Sequence, residues 1–166
     1  MIKLAEKLYD RLEIIWEKNS IIISLIICVF VGILYFKGLV TNIRMVTGNV
    51  VMFASMVVAV NGVFLTLIIS LQESPAFTRL KEIFPNFQKK LYVSLRNQIH
   101  FGILVVAISI LINILPPSPN KYLSSIGVGV WFFFFILMGV GSFFSVKLVT
   151  DIIVKNFKTP TRSRRQ

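Results

Sequence analysis

Side chains capable of covalent or acid–base chemistry are few in this chain and poorly placed for it. Its 166 residues include one His, one Cys and seven Asp or Glu. Glu6, Asp10, Glu13 and Glu17 fall in the first eighteen residues, Glu82 lies in the basic segment between the second and third apolar stretches, and Glu73 and Asp151 stand isolated. General acid–base catalysis needs a titratable group within hydrogen-bond reach of the reacting atoms, and the long apolar stretches contain neither a Ser/His pair nor two Asp. A single Cys (Cys28) cannot form an intramolecular disulfide, and His100 has no nearby Cys with which to build a zinc site. There is no G-x-x-x-x-G-K phosphate loop. These features point away from an enzyme and imply no catalytic residue, cofactor or metal. His100 reads as an interfacial residue, with a pH-sensitive role as the alternative, and Cys28 reads as a packing residue.

The polar residues that could carry function are neutral. On the second apolar stretch Gly48, Ser55, Ala59, Gly62, Thr66 and Ser70 recur, after the first step, every four, three, four and four residues. That spacing puts them on one helical face, and Asn61 lies beside it. Small residues in such a row let membrane helices approach closely. The same row can line a hydrated path without the cost of burying charge. Both meanings stay open and can coexist. Ser55, Ala59, Asn61, Gly62 and Thr66 are the candidates for lining or gating a pore. Four helices are too few to enclose a wide pore, so this reading requires a homo-oligomer.

The elements that hold these residues follow from the partition of charge. Segments 19–36, 45–72, 97–120 and 122–146 contain no Asp, Glu, Lys or Arg. A soluble helix needs charge every few residues on its wet face, whereas crossing the hydrocarbon core takes about 20 apolar residues. The expected fold is an all-α integral membrane protein with four spans at about 20–36, 46–72, 98–115 and 123–149. Residues 1–18 read as an amphipathic cytoplasmic or interfacial helix, with Leu4, Leu8, Leu12, Ile15 and Trp16 on one face. Residues 19–153 form the membrane domain and 154–166 a basic cytoplasmic tail. No cleavage site follows the first span, which is therefore expected to be retained. Of the 18 Lys and Arg, 15 lie before the first span, between the second and third, and after the fourth. The positive-inside rule then puts both termini in the cytoplasm. Without a carboxylate, Lys or Arg near the midplane, and with no visible inverted repeat, a coupled transporter is disfavoured.

Segment 73–97 is patterned and reads as a cytoplasmic helical hairpin. Phe77, Leu80, Phe84, Phe87, Leu91 and Leu95 recur at steps of three and four, an apolar seam that needs a partner. Pro85 suits the first turn of the returning helix. Arg79, Lys81, Lys89, Lys90 and Arg96 make the hairpin basic and are candidates for an anionic ligand (nucleotide or oligonucleotide) or a soluble protein partner. The net charge of +11 is explained more simply by topology together with attraction to anionic lipid than by such a ligand.

The long second helix (GNVVMFASMVVAVNGVFLTLIISL) and the basic turn after it (SPAFTRLKEIFPNFQKKL) give the chain an arrangement that resembles small four-helix bacterial membrane effectors. These are the RexB phage-exclusion ion channels and, more loosely, the channel part of the Hailong defence effector. The resemblance is one of topology and pattern, over 47–149. It implies a multi-pass protein of the bacterial inner membrane that depolarises the cell on infection. The Hailong type is held shut by a DNA oligomer on a cytoplasmic crown, and this chain has no segment of that size. Holins, another pore class, share the basic tail. The expected function is a homo-oligomeric inner-membrane ion channel or pore acting as an antiviral, abortive-infection effector. The alternative is a non-conducting membrane anchor that docks a soluble partner through Phe77, Leu80, Phe84, Phe87 and Leu91.

Overall fold

The computed structural model describes residues 2–71, 87–116 and 120–158, with side chains at 15, 16, 18–70, 89, 91–116 and 120–150. The described residues fold into four helices and no strand: α1 (Ile2–Phe36), α2 (Ile43–Leu71), α3 (Phe87–Ile114) and α4 (Lys121–Lys158). Each is long and apolar enough to cross a membrane, over Lys18–Phe36, Ile43–Ser70, Leu91–Ile114 and Lys121–Thr150. The composition and helix lengths are those of a multi-pass membrane protein.

Local sequence explains where the helices break. Asn19 leaves helical geometry (φ −129°, ψ 23°) inside α1, at the boundary expected between the amphipathic segment and the first span. α1 ends at Gly38, whose φ of 73° suits a residue without Cβ. There Leu39 N–H donates to the Leu34 carbonyl and Gly38 N–H to that of Tyr35, the paired bonds that close a helix C-terminus. Asn42, at φ 59°, turns the chain into α2. Asn120 opens α4 by accepting the Tyr122 N–H on its side chain at 3.0 Å, an N-cap.

α3 runs unbroken from Phe87 into the span, as expected of the returning helix after Pro85, while its apolar part reaches back to Leu91 rather than beginning at about 98. Arg96 causes no break because its side chain is exposed. At the other end, α4 continues to Lys158, into the segment expected to be tail. The turn of the expected hairpin, 72–86, lies outside the described residues.

The helices run up and down, and α4 is the hub. It packs on α1, α2 and α3, α2 packs on α3, and α1 makes its main contact with α4. Accordingly 6% of the α1 span is buried, against 28% of the α4 span. Ile21, Ile22, Leu25, Ile26, Val29, Phe30 and Ile33 of α1 stay exposed, as an Ile-rich lipid-facing helix should. Two apolar cores result. Val50, Ala54, Val105, Trp131 and Met138 form the larger one, and Ile68, Leu91, Leu95 and Val149 the smaller.

Glycines set the closest crossings. A Cβ on Gly102 would overlap the Val58 Cγ2, and one on Gly129 would lie 3.2 Å from the Cys28 sulfur. Val58 is β-branched and has little rotamer freedom with which to yield. Gly102→Val should therefore destabilise the bundle by about 1–3 kcal/mol. Gly127→Val, where nothing lies within 4 Å, should change stability by less than about 0.5 kcal/mol. Reversible unfolding in mixed micelles compares the two.

Candidate functional site

The sequence-nominated residues of α2 divide between two faces. Ser55, Ala59 and Thr66 are exposed, as are Gly48 and Ser70. Gly62 is half-buried, yet a Cβ there would meet nothing within 4 Å. Apart from Gly62, this face is left open by the described residues of the chain. Two of its hydroxyls are satisfied locally, because Thr66 donates to the Gly62 carbonyl and Ser70 to that of Thr66, both at 3.0 Å. Such back-bonding lets a Ser or Thr face an apolar surround without an orphaned proton.

Asn61 departs from the expectation that grouped it with these residues. It is fully buried, and its Nδ2 donates to the Ser142 hydroxyl of α4 at 2.8 Å. The reason is angular: one residue along a helix is a turn of about 100°, which carries Asn61 from the open face to the one that meets α4.

Asn61 belongs to a polar seam that runs through the bundle. On the side where α3 begins and the α4 span ends, Ser94 and Ser145 share a proton at 2.8 Å. Gln98 lies over Gly141, where any Cβ would strike its amide. Deeper, the Trp131 indole N–H donates to Ser109 at 2.8 Å. At the far end Thr47 meets Asn113 at 2.9 Å and the Arg44 carbonyl at 2.7 Å. One hydroxyl proton cannot serve two acceptors, so the Asn113 amide must turn its nitrogen toward Thr47 if both bonds form. Arg44 in turn donates to the Leu115 carbonyl at 2.6 Å, which closes the C-terminus of α3 with a cation, as the helix dipole favours.

The seam is interrupted. Ala54, Val105 and Met138, none with any exposure, separate the Thr47/Asn113 pair from the Asn61/Ser142 and Ser94/Ser145 pairs. Among the described residues the bonded pairs therefore fall into two groups divided by an apolar block, with no continuous polar path between them.

Stability alone does not account for the seam. A side-chain hydrogen bond between membrane helices contributes about 0.6 kcal/mol, whereas a buried polar atom without a partner costs about 1–3 kcal/mol. Among the described residues three such atoms occur: Ser24 Oγ, Asn61 Oδ1 and Gln98 Oε1.

The remaining candidates are placed as follows. Lys89 and Arg96 are exposed. Leu91 is buried with Leu95 against Ile68 and Val149, so this part of the seam finds its partner within the chain. Arg79, Lys81, Phe77, Leu80 and Phe84 lie outside the described residues, as do the side chains of Lys90 and Phe87. Gln98, Ser94, Thr47 and Ser24 were not nominated from sequence. The signal available was depth: in antiparallel neighbours, polar residues equally far from their span ends meet, as Thr47 and Asn113 do.

A double-mutant cycle tests the deepest bond. Trp131→Phe and Ser109→Ala should each cost about 1–2 kcal/mol, with a coupling of about 0.5–1.5 kcal/mol in micelle unfolding. Comparison with protein-family models, with curated proteins and with solved structures finds no match, and the site is read from its own geometry.

Proposed function

We propose that the chain is the subunit of a homo-oligomeric membrane ion channel or pore. The observation that carries this reading is the small-residue face of α2. Ser55, Ala59, Gly62 and Thr66 permit close approach of a neighbouring helix, yet among the described residues Ser55, Ala59 and Thr66 are exposed and a Cβ on Gly62 would meet nothing within 4 Å. Copies meeting there bring α2 helices together around an axis, with a lining of small and hydroxyl-bearing residues suited to hydrated ions. The apolar block of Ala54, Val105 and Met138 supports a path between copies rather than through one.

In this reading both termini and the basic segment between α2 and α3 face the cytoplasm, because these parts carry most of the Lys and Arg. Lys89 and Arg96 are exposed at that side and, with Arg79, Lys81 and Lys90, are where an anionic ligand such as a nucleotide would act on the opening. The likeness to RexB-type effectors gives the conductance a role in bacterial inner-membrane depolarisation during phage infection. The anchor alternative needs a free apolar seam, and burial of Leu91 inside the bundle leaves less of it for a soluble partner.

In a Cys28→Ser background, Ala59→Cys should crosslink copies on mild oxidation, whereas Leu104→Cys, exposed on α3, should not. Gly62→Leu should alter K+ flux from proteoliposomes several-fold with helical content unchanged. If the purified wild-type chain passes no ions at any membrane potential, with or without an oligonucleotide, the channel reading is wrong.

A further inference from the structure

A cleft of about 560 Å³ lies between the start of the α1 span, the first turns of α3 and the late turns of α4. It exists because α1 packs on α4 and leaves the adjoining face of α3 uncovered. Its size is that of small-molecule sites. We propose that this cleft binds a glycerolipid. The ester and glycerol region lies against the amides of Gln98 and Asn97, and an acyl chain runs over Phe101 and Phe144.

Three observations fix the class of ligand. The first is depth. Trp16 and Ser20 line the cleft, and they bracket Lys18, where the apolar part of α1 begins, while the apolar part of α3 begins at Leu91. Trp prefers the boundary between headgroups and hydrocarbon, the level at which a lipid carries its ester carbonyls. The second is the lining. Apolar walls (Ile21, Phe101, Leu137, Phe144) surround neutral hydroxyls and amides, and none of the described side chains that line the cleft is charged. This set of groups offers a metal ion or a bare anion no counter-charge, whereas an amphiphile with an uncharged polar waist is matched along it. The third is Gln98. It lines the cleft, is 8% exposed, and has an Oε1 with no hydrogen-bond partner among the described residues. Gly141 provides the space its amide occupies. A carboxamide offers both donor and acceptor. Ester carbonyls and glycerol hydroxyls are the complementary groups that a bilayer supplies at this depth. The site does not depend on whether the chain conducts ions.

Trp16 is a built-in reporter, because Trp131 is 5% exposed in the core and serves as an internal reference. The delipidated full-length chain in dodecyl maltoside is titrated with dibrominated phosphatidylglycerol. The expected result is saturable quenching that disappears in Trp16→Phe. Gln98→Leu, of similar size and without the orphaned oxygen, should weaken half-saturation about tenfold while the unfolding midpoint holds or rises. Ser20→Phe, which fills the cleft, should remove the saturable component, and Asn97→Leu should weaken it if Gln98→Leu does not fold. Quenching that rises linearly and equally in wild type and Ser20→Phe would mean ordinary boundary lipid and overturn the site. So would competition by water-soluble glycerophosphoglycerol, which would assign the cleft to a headgroup without chains, or saturable quenching unchanged in all variants.

Discussion

Small residues on α4 allow three helices to approach it at once, and the rest of the bundle follows from that contact. Gly129 lies against Cys28 of α1, Gly141 against Gln98 of α3, and Ser142 against Asn61 of α2. Between apolar helices in a lipid surround the hydrophobic effect supplies little preference for one arrangement over another, so close packing and hydrogen bonds decide it. With α4 as hub, α2 and α3 can pair and enclose Val50, Ala54 and Val105 on Trp131 and Met138. α1 takes the free side and stays mostly exposed. The cleft between α1 and α3 is a direct geometric consequence.

The polar seam does not add up to a large stabilising contribution, yet it selects a register. Thr47 finds Asn113, Asn61 finds Ser142, and Ser94 finds Ser145 only in one alignment of α2, α3 and α4. Sliding any of these three helices by one turn would leave such groups in hydrocarbon, a penalty of several kcal/mol for each group left without a partner. Among the described residues the orphaned oxygens of Ser24, Asn61 and Gln98 are the exceptions to this economy, and the last two flank the glycine and serine at 141 and 142.

Two surfaces remain for function once the interior is accounted for. On the outer face of α2 the Thr66 and Ser70 hydroxyls are already bonded to their own helix, so that part of the face tolerates lipid and equally accepts another helix at short range. The cleft beside α1 has amides with no such internal remedy. The proposed occupants, a copy of the chain for one surface and a lipid for the other, differ in whether the polar groups they would meet are satisfied locally.

The sequence by itself determined the four helices, their approximate ends and the exposure of α1, because charge cannot recur inside a long apolar helix and breaks are written in Gly, Asn and Pro. The α2 row was legible as a helical face from its spacing alone. Its orientation was not, since small residues pack and line pores with the same period. Only the tertiary structure turned Ser55, Ala59 and Thr66 outward and Asn61 inward, and only it brought Gln98 over Gly141 and Leu91 onto Val149. Those pairs join residues more than forty positions apart on different helices. Their meeting depends on helix rotation and depth, which no one-dimensional pattern encodes.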